Sequence, residues 1–265
     1  MKRPPIIFVS HGSPSLVLEE CAARDFLKRL GGELGAPRAI VAISAHWASA
    51  SPALTATSNP ETIHDFYGFP DALYRLRYPA PGAPKLAGEV CELMRAGGFE
   101  CELDPRRGLD HGVWSPLLLM YPQAQVPVVQ VAIQPHLGAA HHFALGATLA
   151  PLRDEGILIM GSGGGTHNLG QIRGGGNPPA PKWVSAFAEW LTDTVTEGRS
   201  AELVNYRRVA PYAAENHPSE EHFFPLIVAA GAAGTGARGR CLHASYTYGV
   251  LSMASYAFGE DAAGT

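Results

Sequence analysis

The sequence contains little cysteine, little charge and no long apolar run. Its four cysteines show no CxxC spacing, which argues against a zinc ribbon or a disulfide framework. Charged residues make up 17% of the chain, the net charge is -4, and no run of lysine or arginine marks a nucleic-acid-binding surface. No apolar stretch approaches the ~18 residues of a membrane span, and the N-terminal apolar run is shorter than a signal-peptide core. We therefore expect a cytoplasmic protein that binds a small molecule and neither membrane nor nucleic acid.

The apolar segments alternate between the spacing of strands and that of helices. The 265 residues are 46% hydrophobic, and the 30 glycines and 22 prolines fall mainly in short turn-like clusters. This alternation predicts an α/β fold, a single domain over residues 1–265 with a central mixed sheet flanked by helices. Strands are predicted near 5–10, 38–47, 53–58, 99–104, 126–134, 156–162 and 247–258. Helices are predicted near 18–30, 83–97, from Val113, and over 138–152, 181–197 and 220–230.

Several of the eleven histidines follow apolar strands. His11 and His46 come at strand ends, and His167 follows a strand across a glycine-rich turn. The C-terminal ends of strands line the ligand crevice of open α/β folds, so this placement predicts a metal site, a proton relay, or both. A histidine at a strand end can also simply hydrogen-bond a neighbouring loop. The patterns HExxH, GxxxxGK[ST] and GxSxG are absent, which argues against a zincin, a P-loop and a serine hydrolase.

Five segments in order resemble a known family. They read FVSHGSP, AISAHW, LDHGVWSPL, GSGGGTHNL and NHPSEEHFFPL, and they extend over roughly residues 6–250. This series is similar to that of the class III extradiol ring-cleavage dioxygenases, and most of all to their 4,5-DOPA dioxygenase-like branch. The resemblance implies a non-haem Fe(II) enzyme that opens a DOPA-like catechol with O2, with its metal at the strand C-terminal ends.

The family pattern also assigns roles to individual residues. It implies metal ligation by His11, His46 and His222, and acid–base catalysis by His167, which is sometimes counted as a fourth ligand. His111 would be a second catalytic histidine of the pocket. Members of the superfamily with another substrate use a glutamate as third ligand, so Glu220 or Glu221 stays open as an alternative to His222.

The chemistry implied by the resemblance requires a metal that binds both substrate oxygens and O2. Fe(II) meets this requirement, and Zn(II) can replace it in purified protein. The alternative is a zinc-dependent hydrolase or another non-redox metalloenzyme on the same fold. A non-enzymatic metal-binding protein is a third class. The catechol's side chain, the position of ring cleavage and homo-oligomerisation stay open at this stage.

Other residues are weaker candidates for the pocket wall. Trp47, His243 and Tyr248 are candidates to border a substrate pocket, with a place in the loop core as the alternative for Trp47. His217 either contacts substrate or orients the HPSEEH turn behind a ligand histidine. His136, His141 and His142 lie near a predicted helix start, and we expect them to be solvated.

Overall fold

The protein is described from a computed structural model that covers residues 3–173 and 177–259. Its strands are β1 Ile6–Ser10, β2 Ala39–Ala48, β3 Ala53–Thr55, β4 Glu102–Asp104, β5 Val128–Ile133, β6 Ile157–Gly163, β7 Gly239–His243, β8 Tyr246–Thr247, β9 Leu251–Ser252 and β10 Ser255–Phe258. Its α-helices are α1 Ala22–Leu34, α2 Asp71–Tyr74, α3 Pro84–Ala96, α4 His111–Met120, α5 Gly138–Leu149, α6 Lys182–Glu197, α7 Ser200–Val204, α8 Tyr206–Val209, α9 Ala213–Asn216 and α10 Phe224–Ala233.

Eight strands form one mixed sheet in the order β4-β3-β5-β2-β6-β1-β10-β7. The four central strands, β5, β2, β6 and β1, run parallel, whereas β10 pairs antiparallel with both β1 and β7. β8 and β9 form a separate hairpin. The parallel centre brings the C-terminal ends of β1, β2 and β6 to the same edge, so the loops that follow them meet there. The α/β fold with a mixed sheet is as the sequence predicts.

Both faces of the central strands are buried beneath helices. Along β1, Ile6 and Phe8 pack into one hydrophobic cluster and Ile7 and Val9 into the other, and all four are fully buried. A strand covered on both faces reads as a continuous apolar run, which explains why this segment shows no polar alternation. The sheet is therefore a rigid support for the loops at its edge.

Helices α5 and α10 pack closely on one face of the sheet. A side chain at Gly146 of α5 would collide with the backbone oxygen of Val228, and one at Gly231 of α10 would collide with that of Phe143. The two helices therefore approach backbone to backbone where glycine leaves room. Because α10 follows His222 directly, this packing fixes the position of that histidine relative to the sheet.

The structure departs from the sequence predictions in several elements. The strand predicted over 247–258 is divided into β8, β9 and β10, since Tyr248 and Gly249 have φ of 53° and 71° and reverse the chain. The helix predicted from Val113 begins at His111, and the one predicted over 220–230 begins at Phe224. Strand β7 was not predicted.

Two side-chain expectations also change. His142 is fully buried, with its ring stacked on Phe224 at 4.1 Å between centroids, so the prediction that it is solvated was wrong. Cys91 and Cys101 form a disulfide between α3 and the segment before β4, with Cα atoms 5.5 Å apart. This single bridge is not a disulfide framework. Across residues 3–173 and 177–259, no helix has the length and apolar content needed to cross a membrane.

Candidate metal centre

Three imidazoles converge at the sheet edge. Nε2 of His46 lies 3.1 Å from Nε2 of His11 and 3.2 Å from Nε2 of His222. The three rings come from parts of the chain up to 211 residues apart, and the ligand atoms are grouped closely enough to hold one ion. The structure thus brings together the three residues that the sequence assigns to the metal.

The local backbone explains how His11 reaches this point. β1 ends at Ser10, and the backbone N–H of His11 still donates to the oxygen of Gly163 on β6, at 3.0 Å. Gly12 then adopts φ of 61°, a left-handed conformation that favours glycine. A side chain at Gly12 would also come within 2.7 Å of Met253. The chain therefore turns away directly after His11 and leaves the ring facing the site.

His46 is aimed by an irregularity in β2. The pairing of β2 with β5 shifts register between Ile43 and Ala48, as in a β-bulge. Within this stretch, the Ser44 hydroxyl donates to Asp110 Oδ1 at 2.7 Å and accepts from the backbone N–H of His46 at 3.1 Å. Asp110 is fully buried. A buried polar network thus fixes the backbone that carries His46.

His222 is held against the end of β6 by backbone contacts. The N–H of Gly164 donates to the oxygen of His222 at 3.0 Å, and a side chain at Gly163 would collide with the same oxygen. The glycines after β6 therefore let the backbone of a ligand approach closely.

An oxygen faces the opposite ring nitrogen of each converging histidine, at hydrogen-bonding distance for His11 and His222 and slightly farther for His46. The Ser162 hydroxyl donates to the oxygen of Gly112, so it accepts from Nδ1–H of His11 at 3.0 Å. Nδ1 of His222 lies 3.1 Å from Glu221 Oε1. Nδ1 of His46 lies 3.4 Å from Asp65 Oδ2. We assign the Nδ1–H tautomer to all three rings, which leaves each Nε2 lone pair free for an ion.

Burial keeps these imidazoles neutral. It lowers the pKa of His11 and of His222 well below the usual value, and the neighbouring histidines add to the effect. Burial together with His111 lowers the pKa of His46 to about 3, against the opposing influence of Asp65. Neutral imidazole is the form that ligates a metal.

Two of the three nitrogen–nitrogen distances match those expected around an ion on one face of an octahedron. Two nitrogens at ~2.1 Å from an ion, on adjacent octahedral corners, stand roughly 3 Å apart. The two Nε2–Nε2 distances of 3.1 and 3.2 Å agree with this spacing. Three protein ligands on one face leave the opposite face for substrate oxygens. The donor set therefore fits Fe(II), and it fits Zn(II) equally well.

The two glutamates beside His222 have other partners. Glu220 Oε2 accepts from the Tyr206 hydroxyl at 2.7 Å and lies 3.5 Å from Arg207 Nε. Glu221 contacts the Nδ1 side of His222, opposite the nitrogen that faces His46. The arrangement favours His222 as the third ligand.

Asp65 is a site residue that the sequence analysis missed. Its Oδ2 lies 3.0 Å from Nδ1 of His111 and also contacts His46, and its Oδ1 accepts from the His111 backbone N–H at 3.0 Å. Burial alone would raise the pKa of Asp65, but the hydrogen bonds and charge of His111 lower it to about 2. The carboxylate is therefore ionised and sits between two histidines of the site.

His167 lies beside the converging group. Its ring is stacked on that of His222, with centroids 3.4 Å apart and planes within 7°. Burial lowers the pKa of His167 to about 4, with a smaller opposing effect from Glu221. The ring is therefore neutral near pH 7, as a general base must be.

The weaker pocket candidates are distributed around the site. Trp47 is nearly buried and lies under the Arg107 guanidinium, 5.1 Å from the ring centroid. His217 is fully buried behind the glycine turn, donates Nε2–H to the Gly165 oxygen at 3.2 Å, and packs among aromatic rings. The structure thus places His217 in the core behind the glycine turn, which favours its orienting role over substrate binding.

His243 and Tyr248 have partners outside the histidine group. The His243 ring stacks on Phe26 of α1 at 4.7 Å, and its Nε2 lies 2.7 Å from Ser245 Oγ. The Tyr248 hydroxyl donates to Glu19 at 2.9 Å. These contacts give no support to a substrate-binding role for either residue.

The missed residues carried only a weak signal in the sequence. Asp65 lies in an aromatic, turn-rich loop and is 19 residues from His46 and 46 from His111. Ser162 comes next to His11 only because β1 pairs with β6 in the register that sets Ser10 beside Gly163. Loop path and strand register are tertiary properties, so local pattern does not reveal these two positions.

Comparison with known proteins adds independent information. A protein-family model described as the catalytic LigB subunit of aromatic ring-opening dioxygenase matches residues 5–259. The chain is 42% identical over 260 residues to 4,5-DOPA dioxygenase extradiol of Beta vulgaris, with 95% of both chains covered. It is 42% identical over 234 residues to a protein of the same name from Escherichia coli (strain K12), with 87% of this chain and 85% of the relative covered.

A solved structure shows the same architecture. The crystal structure of uncharacterized protein JW3007 from Escherichia coli K12 superposes with a TM-score of 0.80 at 34% sequence identity. The match covers 97% of this chain and 100% of that one. The similarities therefore extend over every strand and loop that contributes a histidine to the candidate metal centre.

Proposed function

This chain belongs to the family of the catalytic LigB subunit of aromatic ring-opening dioxygenases, and from that premise we propose that it opens a DOPA-like catechol with Fe(II) and O2. The reaction class, extradiol ring cleavage by a dioxygenase, is supported by the family match and by the named relatives over most of the chain. The choice of a DOPA-like substrate follows the printed names of those relatives.

One observation carries the proposal for a metal. Three neutral imidazoles, His11, His46 and His222, bring their ligand nitrogens within 4.8 Å of one another, and an oxygen faces the Nδ1 atom of each. Outer hydrogen bonds of this kind fix the orientation of metal ligands. When bound, Fe(II) supplies the redox chemistry that lets an aromatic diol react with O2, which Zn(II) lacks.

The remaining residues bind the substrate and move protons. His167 takes a proton from a catechol hydroxyl and returns it to the product oxygen later in the reaction. Its unprotonated ring and its position against His222 support the first of these steps, since a base must be free of a proton before substrate enters. His111, oriented by Asp65, hydrogen-bonds the substrate on the other side of the site.

We also propose the extent of the catalytic domain and the cellular location of the protein. Residues 1–265 form one catalytic domain, supported by the family match over 5–259 and the eight-stranded sheet that carries the site. The protein acts in the cytoplasm, although the Cys91–Cys101 disulfide is of a kind that is rare there. Self-association into a homo-oligomer stays a prediction.

The test is anaerobic reconstitution of metal-free protein with Fe(II) or with Zn(II). Oxygen uptake and visible absorbance are then followed with a panel of catechols that includes L-DOPA. We expect stoichiometric oxygen consumption and a yellow semialdehyde product with iron and none with zinc. Tight binding of both metals without oxygen uptake for any catechol would contradict the proposal and favour a zinc-dependent hydrolase.

A further inference from the structure

A single carboxylate oxygen links two histidines that have different roles. Oδ2 of Asp65 lies 3.4 Å from Nδ1 of His46 and 3.0 Å from Nδ1 of His111. The rings of these histidines are themselves in contact, with centroids 4.0 Å apart. We infer that Asp65 is a positioning residue that sets the tautomer of both His46 and His111, and thereby couples metal binding to the substrate-facing histidine. This inference rests on the proposed function for the role of His111.

The position of Asp65 is fixed by its own segment. The Ile63 N–H donates to the oxygen of Leu109 at 2.8 Å, and the indole N–H of Trp114 donates to the oxygen of Ile63 at 2.8 Å. Asp65 Oδ1 accepts the His111 backbone N–H at the first residue of α4. The carboxylate therefore lies at a helix N-terminus, where a negative charge is favoured. Its second oxygen is left to face the two imidazoles.

The hydrogen-bond balance at Asp65 explains why an acid is needed there. An ionised carboxylate only accepts, so His111, which lies at hydrogen-bonding distance, must present Nδ1–H. The same negative charge lies 3.4 Å from Nδ1 of His46 and favours hydrogen on that nitrogen too, which leaves the Nε2 lone pairs of both rings for the metal and the substrate. An asparagine of the same shape has one acceptor and one donor. If its oxygen faces the His111 backbone N–H, its NH2 group faces both Nδ1 atoms and favours the tautomer with hydrogen on Nε2. If the amide is flipped, its NH2 group faces the His111 backbone N–H, and two donors then point at each other.

The need for an acceptor at Asp65 predicts that Asn at this position weakens Fe(II) binding more than Ala does. Asp65→Asn should weaken Fe(II) binding by about 10- to 100-fold, the usual effect of disturbing an outer partner of a ligand. Asp65→Ala should weaken it less, because water can replace the carboxylate of a residue whose side chain is 20% exposed. Asp71→Asn, at an exposed acid that begins α2, is the matched control and should bind iron as the wild type does.

Iron affinity is measured anaerobically by competition with a coloured Fe(II) chelator, and the stability of each variant by urea unfolding. If Asp65 merely held its loop, the shape-conserving Asn variant would bind iron better than the Ala variant, and this order would overturn the inference. Equal affinity in all variants would overturn it as well. The readout does not depend on turnover, so wild-type protein that lacks dioxygenase activity but shows the predicted order would refute only the proposed function.

The coupling to His111 has its own test at saturating iron. We expect Asp65→Ala and His111→Ala each to lower kcat/KM for the catechol, and the double variant to be little worse than His111→Ala alone. Non-additivity of this kind shows that the two residues act as a unit. Fully additive losses would show that Asp65 does not act through His111.

Discussion

At the residue scale, the stacked pair His167 and His222 raises the question of which ring is a ligand. Nε2 of His222 points to His46, 3.2 Å away, whereas His167 contacts the group through the face of its ring. His167, Glu221 and His222 nevertheless bring one ligand atom each within 4.8 Å of one another, so both roles of His167 need a direct test.

His167→Ala is the variant that separates these roles. We expect it to keep one iron per chain and to lose about 10²- to 10⁴-fold in kcat, the usual contribution of a general acid–base group. Metal content and turnover are measured on the same preparation, with the exposed His136→Ala as control. Loss of iron from the His167 variant would instead make this residue a ligand.

The residues that the sequence could predict are those whose position follows from a strand end. His11 and His46 were identifiable because apolar strands precede them and a parallel sheet collects such ends at one edge. The family motifs supplied His222, which lies near no strand end in the sequence. Asp65 and Ser162 could not be predicted, because each acts on a histidine that only tertiary structure brings near.

At the element scale, the contact between α5 and α10 sets where His222 lies. Gly146→Ala should lower the free energy of unfolding by about 1–3 kcal/mol, because its methyl group would collide with the Val228 backbone, which cannot move without shifting α10. Gly88→Ala in α3 is the control. Its methyl group meets nothing within 4 Å, so it should be neutral or stabilise by about 0.5–1 kcal/mol.

Urea unfolding measures the free energy of unfolding of both variants. The shift in the midpoint urea concentration gives the change, provided that the slope of free energy against urea concentration stays the same. A neutral Gly146→Ala would contradict the close packing of these helices. Neither glycine was singled out in the sequence, because a glycine in a helix can mark a close contact or merely an exposed position, and only the facing element decides.

Helix α5 contains a buried titratable residue that contacts the connection from β5. His142 donates Nδ1–H to the Gly138 oxygen at 2.7 Å and accepts the Gln134 backbone N–H at Nε2, at 3.1 Å. Burial lowers the pKa of His142 to about 4, against the opposing effect of Gly138. The unfolded chain takes up this proton near pH 6.5. The stability that the neutral ring contributes is therefore complete above pH 6.5 and is lost as the pH falls toward 4.

The pH dependence of unfolding tests this account of His142. Between pH 7 and pH 4, wild-type protein should lose about 3 kcal/mol more stability than His142→Gln, which has no group to titrate there. Comparison of the two proteins cancels the acid sensitivity of the metal centre, which both contain. His136→Gln, at an exposed site, removes only a small charge effect on His142 and should keep most of the wild-type pH dependence. Equal losses in wild type and His142→Gln would show that the buried ring does not resist protonation.

At the scale of the whole molecule, the fold class could be predicted because apolar strands alternate with amphipathic helices along most of the chain. The order of the strands could not, since β10, the last strand, pairs beside β1, the first. That arrangement joins the two ends of the described chain in one sheet. It also covers β1 on its outer side, so His11 rests on a strand paired along both edges.

The central claim is that one iron ion is held by three histidines at the edge of this sheet. The most direct measurement is a crystal structure of the protein reconstituted anaerobically with Fe(II), with anomalous data collected at the iron edge. We predict one iron peak per chain, bonded to Nε2 of His11, His46 and His222, with His167 outside bonding distance. Iron bonded to Glu221, or located away from His11, would contradict the account.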